Sequence, residues 1–233
     1  MRPDFTPKNT GIMFQADMIR AYLEGRKNQT RRVKGLQAIN QEPDNWQLIF
    51  TPQDEGVRFV SFGHKETTQV IHLNMPYGGK GDTLYFKETW KMFERDEDGR
   101  DFLHYRADDA KVDQTWWTEH DWRRPDPVWH KQGVFENWQP SMFMPRICSR
   151  FREVPIVDVR IERLHDITWE DAWYEGIART ADLSDSAHIF KDPTQEYFSL
   201  WDSINGKTLP ASRNPWVWVY EFPKYQGTNE QDQ

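Results

Sequence analysis

A short basic segment with a hydroxyl side chain inside it is the part of this 233-residue chain whose residue types could do chemistry most directly. Lys27 and Thr30 lie three residues apart within it. A lysine acts as a base when its pKa falls from about 10.4 toward neutrality, and a threonine hydroxyl attacks when a base lies beside it. In a regular strand the two side chains would point to opposite faces, so we predict a turn between Gly25 and Arg31 that brings both into one cleft. The alternative is a solvated basic edge strand.

The same segment holds one cluster of cations, made of Arg26, Lys27, Arg31, Arg32 and Lys34. The formal net charge of the chain is −7, and a protein of that sign does not attract nucleic acid by bulk electrostatics. Any nucleic-acid contact must therefore be local. Arg26, Arg31 and Arg32 are predicted to hold phosphate or the edge of a base.

Two carboxylates occupy positions where a charge is costly. Strand alternation puts Glu88 on the apolar face of the segment 83–90, where it would line a ligand pocket or form a structural salt bridge with an arginine. Glu175 lies in the last turn of a predicted helix, where a negative charge opposes the helix dipole. That position is a hint of catalysis, and the alternative is an exposed glutamate.

Metal and cofactor chemistry has little support in the sequence. The seven histidines show no compact metal spacing, and the single cysteine, Cys148, excludes an internal disulfide and any site of several Cys ligands. The glycine-rich segment 78–81 is too short for a phosphate loop and is predicted to be a turn. We therefore expect no cofactor and no metal. Without a signal peptide or an apolar run of eighteen residues, we also expect no membrane partner and a cytoplasmic location.

The elements that must position these residues are short. Strands are predicted at 10–14, 46–50, 57–62, 83–90, 154–164 and 215–222, and helices at 15–25, from Thr168 to Gly176, and near 195–204. This order predicts an α+β fold, a small β-barrel with peripheral short helices. We predict one domain over residues 1–224, with insertions at about 35–72 and 94–141 and a flexible tail at 225–233. The second insertion is rich in tryptophan, and its function is open.

Several segments together resemble the prophage-encoded ASCH-domain proteins of enterobacteria, which belong to the PUA-like superfamily. They are 21–32, 81–90, 139–146, 171–177, 201–206 and 214–222. The resemblance implies a PUA-like β-barrel with a cleft, a fold associated with RNA and modified-base recognition. A smaller relative, the bacterial N4-acetylcytidine amidohydrolase, carries a lysine, a threonine and a glutamate that fall on Lys27, Thr30 and Glu175.

The function that follows from this resemblance is binding of RNA, or of a modified nucleobase or nucleoside, in the barrel cleft. As an amidohydrolase of N4-acylated cytidine, the protein would use Lys27 as the base or to activate Thr30, Thr30 as the nucleophile, and Glu175 to carry the proton or orient the lysine. Lys27 and Glu175 would then line a cleft, so replacing either would abolish turnover without unfolding. The alternatives are a non-catalytic nucleic-acid reader, a phage accessory protein that binds a host partner, and a metal-independent ribonuclease.

Overall fold

The computed structural model describes residues 6–52, 56–93, 102–113, 137–177 and 192–227. These residues form two compact units. Unit 1 contains the residues up to Thr10, Ala21–Leu84 and those from Glu153 onward, and unit 2 contains Gly11–Arg20 and Tyr85–Arg152. The prediction of one domain over residues 1–224 stays a prediction. Of the tryptophan-rich insertion at 94–141, only 102–113 and 137–141 lie within the described residues, and of the tail only 225–227.

The described part of the chain contains short strands and three α-helices. The strands are β1 (Asn9–Met13), β2 (Gln29–Arg32), β3 (Trp46–Phe50), β4 (Phe59–His64), β5 (Val70–Asn74), β6 (Thr83–Lys87), β7 (Trp90–Phe93), β8 (Phe102–Tyr105), β9 (Lys111–Asp113), β10 (Val154–Pro155), β11 (Asp158–Arg163) and β12 (Trp216–Glu221). The helices are α1 (Ala16–Leu23), α2 (Trp169–Tyr174) and α3 (Pro193–Asn205). The fold is therefore α+β, as predicted.

The strands pair into three-stranded sheets with the orders β1–β6–β10, β11–β12–β2, β3–β4–β5 and β7–β8–β9. Among the described residues these sheets do not close into a barrel. The predicted strand at 83–90 divides into β6 and β7 around Glu88 and Thr89, and the one at 154–164 divides into β10 and β11. Each division follows a change of pairing strand. β6 pairs with β10, whereas β7 pairs with β8. In the same way, β10 pairs with β6, whereas β11 pairs with β12.

The sheet β11–β12–β2 is the centre of unit 1. Val217, Trp218, Val219 and Tyr220 on β12 are all fully buried, so both faces of this sheet are covered. Helices α2 and α3 cover one face, where Ala172, Tyr197 and Trp201 share a core cluster with Val217 and Val219. A buried strand between two covered faces holds the residues of its neighbours in fixed positions.

Local chemistry defines both of these helices. The Thr168 hydroxyl accepts from the backbone N–H of Asp171, and the Asp171 carboxylate accepts from the backbone N–H of Thr168, which is a capping box at the start of α2. Gly176, with a φ of +99°, follows the last turn of α2. Helix α3 begins with the Asp192 carboxylate accepting from the N–H of Thr194. The predicted cap at Thr168 and stop at Gly176 are both confirmed.

The helices of the described residues are all too short or too polar to cross a membrane.

Candidate functional site

The register of the sheet β11–β12–β2 sorts the candidate residues onto its two faces. Arg31 lies opposite Val219, which lies opposite Arg160, so these three side chains share one face. Thr30 lies opposite Tyr220, which lies opposite Val159, and these share the other face. Because side chains alternate along a strand, Thr30 is directed away from the face that carries Arg31.

Lys27 lies in the turn between α1 and β2. Gly25 adopts a φ of +69°, and the backbone N–H groups of Arg26 and Lys27 both donate to the carbonyl of Ala21. The predicted turn after Gly25 is therefore present. The turn directs the Lys27 side chain inward toward the end of α2.

The Lys27 ammonium is fully buried and uses all three of its donors. Nζ donates to the backbone carbonyl of Gln29 at 2.8 Å, to that of Glu175 at 2.7 Å, and to Oε2 of Glu175 at 3.0 Å. Burial lowers the pKa of Lys27 to about 8, and the Glu175 carboxylate opposes this shift. The predicted pairing of Lys27 with Glu175 is thus seen, but in the interior. We expected both side chains to line a cleft, and the structure buries them.

Arg31 occupies the middle of a group of carboxylates and is fully buried. Nη1 donates to Oε1 of Glu175 at 3.1 Å, and Nη2 donates to Oε1 of Glu162 at 2.6 Å and to Oδ2 of Asp171 at 3.1 Å. Burial alone would lower the pKa of Arg31, but the charge of Glu175 and the other carboxylates raises it above its usual value. Every charged partner of this guanidinium is an acid of the same chain, so Arg31 is not presented to a phosphate.

Thr30 is buried on the opposite face of β2, next to Tyr220. The three residues that the resemblance assigns to catalysis therefore fall on two sides of one sheet. Lys27 and Glu175 are in contact, while strand alternation directs the Thr30 hydroxyl away from them.

The other two arginines of the basic segment are less enclosed. Arg26 donates from Nη1 to the backbone carbonyl of Gly176 at 2.7 Å and from Nε to Oε2 of Glu24 at 2.7 Å. Arg32 is half-buried at the end of β2, opposite Trp218. Of the three arginines predicted to contact phosphate, Arg26 and Arg32 therefore reach the surface of unit 1.

Glu88 belongs to unit 2 and forms a salt bridge within it. Both of its carboxylate oxygens accept from Arg150, at 2.8 and 2.9 Å, and Arg150 also donates to Asp108 at 2.7 Å. Burial raises the pKa of Glu88, and Arg150 opposes that shift. Of the two expectations for Glu88, a ligand pocket or a structural salt bridge with an arginine, the salt bridge is observed.

Three charged residues that no sequence motif indicated also belong to the charge network around Arg31: Glu162, Asp171 and Arg160. Asp171 caps the start of α2, and its carboxylate also accepts from Arg31 and Arg160. Arg160 pairs in addition with Glu162 and Glu221. The available signal was the alternation of charged and apolar residues along β11, in which Arg160 and Glu162 are half-buried and Asp158 is exposed.

Tyr197 completes this buried charge network, because its ring lies 5.8 Å from the guanidinium carbon of Arg31. Burial, with the nearby charge of Glu175, raises the pKa of Tyr197 well above its usual value.

A cavity of about 260 Å³ opens beside β11 in unit 1. Its lining includes Val57, Met75, Lys80, Asp158, Val159 and Arg160. Arg160 connects the cavity to the buried charge network, because Nη2 of Arg160 donates to Oδ1 of Asp171 at 3.2 Å. Lys80 and Asp158 are exposed at the cavity.

No group of three or more His, Cys, Asp or Glu side chains within the described ranges is arranged to hold a metal ion. Comparisons with family models, curated proteins and solved structures find no match to this chain.

Proposed function

We propose that this protein binds RNA, or a modified nucleobase or nucleoside, without turning it over, and that the binding unit is a PUA-like ASCH domain. The observation that carries this proposal is the cavity beside β11, which combines apolar side chains with an exposed lysine and an exposed carboxylate. The resemblance of six segments to prophage ASCH-domain proteins supports the same class of ligand.

The size of the cavity favours a single base or nucleoside. Ligand pockets commonly span about 300–1,000 Å³, and 260 Å³ falls just below that range. Sequence-specific RNA recognition usually takes unstacked bases of a single strand. One base turned out of such a strand is a suitable occupant.

The lining offers contacts for the base and for the phosphate of a nucleotide. Val57, Met75 and Val159 can pack against the flat face of a base. The Asp158 carboxylate can accept from an exocyclic amino group, as acidic side chains do from N4 of cytosine. The Lys80 ammonium can contact a phosphate.

A reader is favoured over an enzyme by the state of Lys27 and Thr30. A lysine whose three donors are all bonded to protein acceptors is held as a charged structural group, whereas a base must give up a proton. A nucleophilic hydroxyl needs that base beside it, but Thr30 lies on the other face of β2.

Hydrolysis of an N4-acylated cytidine is the second candidate, because one observation favours it. Burial lowers the pKa of Lys27 to about 8 beside Glu175, and a base near neutral pKa is what such a reaction requires. Turnover should then rise with pH through about 8. Lys27→Arg should abolish it, because arginine does not deprotonate.

Mass spectrometry of nucleosides separates the two candidates. The protein is incubated with short single-stranded RNA and with a nucleoside mixture that includes N4-acetylcytidine. Retention of intact ligand supports the reader, and released acetate supports the hydrolase. Shortened RNA would indicate the ribonuclease alternative, and the absence of both retention and turnover would favour a host-protein partner.

A matched pair of variants tests the cavity itself. Lys80→Gln should weaken RNA binding at low salt and reduce the log–log salt slope by about 0.7, the value for one phosphate of a single strand. Lys207→Gln makes the same charge change at an exposed lysine outside the cavity lining and should leave both values unchanged. Equal effects of the two variants would contradict the assignment of the cavity.

A further inference from the structure

The sheet β3–β4–β5 has one face toward the interior of unit 1 and one toward solvent. Val60 and Phe62 on β4 are buried, and the ring of Phe62 packs edge-to-face on Trp216 with centroids 4.9 Å apart. Residues 59, 61 and 63 of β4 therefore point the other way. With their pairing partners, and with Ile49 at the register shift of β3, they form the open face: Gln47, Ile49, Phe50, Phe59, Ser61, Gly63, Val70, His72 and Asn74.

The open face exposes large apolar side chains next to one another. Ile49, Phe50, Phe59 and Val70 are 51, 42, 37 and 50% exposed. The rings of Phe50 and Phe59 stack with centroids 5.4 Å apart, and Ile49 lies over Gly63, where an added Cβ would approach it at 3.4 Å. Contiguous exposed apolar residues of this kind mark an interaction site.

The open face has the composition of a protein–protein interface. Its aromatic pair lies between polar residues, Gln47 and Asn74 at the margins and the hydrogen-bonded pair Ser61 and His72 beside Phe59. None of its nine members is Asp, Glu, Lys or Arg. Charged residues are depleted and aromatic residues enriched at the centres of such interfaces.

The missing charges also select the partner. A nucleic acid would require lysine or arginine on the face to neutralise phosphates, and the face has none. Two copies of a chain with a net charge of −7 repel one another except where they can meet through a neutral surface. We propose that the open face is the surface through which two copies of this chain associate, about a two-fold axis that places it against itself.

The size of the face sets the strength of this association. Three strands of five or six residues, about 4.8 Å apart, present less than the roughly 800 Å² per partner of a standard interface. The dimer is therefore in exchange with the monomer and depends on concentration.

Sedimentation of the full chain, at protein concentrations from about 1 µM to about 1 mM, tests the proposal. The average mass should rise from 28.0 kDa toward twice that value. Phe50→Glu should raise the protein concentration at which half of the chains are dimeric by about tenfold or more, because it places like charges in the interface. Ile204→Glu adds the same charge at an exposed apolar residue of α3 and should leave that concentration unchanged.

Val70→Glu and Val70→Lys give a second readout at a half-exposed position, should Phe50→Glu fail to fold. Both should weaken the dimer, since either sign repels its own copy. A wild-type chain that stays monomeric throughout would overturn the proposal, as would equal effects of Phe50→Glu and Ile204→Glu. It would also be overturned if Val70→Glu and Val70→Lys both left the average mass unchanged.

Discussion

Lys27 caps the end of α2 from outside the helix. The last carbonyls of a helix lack partners within it, and cations are favourable at that end. The Lys27 ammonium supplies both needs at once, because it donates to the Glu175 carbonyl and neutralises the Glu175 carboxylate. This lysine and Arg31 therefore compensate the negative charge at the end of α2, where it opposes the helix dipole.

Replacing Lys27 with methionine tests this role. Lys27→Met keeps the length of the side chain and leaves the buried Glu175 carboxylate with Arg31 as its one charged partner among the described residues. Breaking a buried pair by removing one member costs about 3–5 kcal/mol, so we expect a loss of that order in the free energy of unfolding by urea. Arg26→Met, which removes a pair with the exposed Glu24 and a hydrogen bond to the carbonyl of Gly176, should cost less, about 1–2 kcal/mol. A Lys27→Met protein as stable as wild type would contradict the structural role.

Among the local elements, the turn 75–82 shows how a glycine-rich segment is organised by one carboxylate. Asp82 accepts from the backbone N–H groups of Gly79 and Lys8 at 2.9 and 2.7 Å, and from Nε and Nη2 of Arg58 at 2.6 Å each. The glycines bring the backbone close to this carboxylate. The segment is the predicted turn.

Gly78 is the glycine that this turn requires most. Its φ is +102°, and an added Cβ would lie 2.6 Å from Oδ2 of Asp82. Gly35→Ala provides the control, because Gly35 also has a positive φ, +84°, but its Cβ would make an ordinary 3.7 Å contact. We expect Gly35→Ala to cost about 1–2 kcal/mol for the backbone alone and Gly78→Ala about 1–3 kcal/mol more for the clash, as measured by thermal unfolding. Equal costs would show that Asp82 moves away freely.

Across the whole molecule, paired aspartates link stability to pH. Burial would raise the pKa values of Asp82, Asp108 and Asp171, but hydrogen bonds and nearby arginine charges hold all three below the usual value. An unfolded chain titrates these groups near 3.9, so below that pH it binds more protons than the folded chain. The stability that these groups contribute is present above about pH 4 and is lost as pH falls through the folded pKa values.

Urea unfolding at a series of pH values should therefore show a steep fall in the free energy of unfolding below about pH 4. Asp82→Asn should flatten that fall, because the variant no longer titrates there. Asp158→Asn, at an exposed aspartate, should keep the wild-type pH dependence. If the free energy of unfolding of Asp82→Asn falls with pH as steeply as that of wild type, other groups are responsible for the acid sensitivity.

Local sequence chemistry determined the elements of this protein. Trp46–Phe50 forms the predicted strand with the same limits, and Thr168 and Gly176 bound the predicted short helix. Residues a few positions apart decide such features, because alternation, capping and positive φ act over one or two turns of chain.

The tertiary structure decided what the candidate residues do. Lys27 and Glu175 are 148 positions apart, and Arg31 and Glu162 are 131 apart. Whether a lysine lines a cleft or closes a buried network depends on which elements cover it, and no local pattern contains that information. The side of the sheet on which Thr30 lies follows from where β2 begins and how it pairs with β12. A shift of one residue in that start would reverse every side chain on the strand.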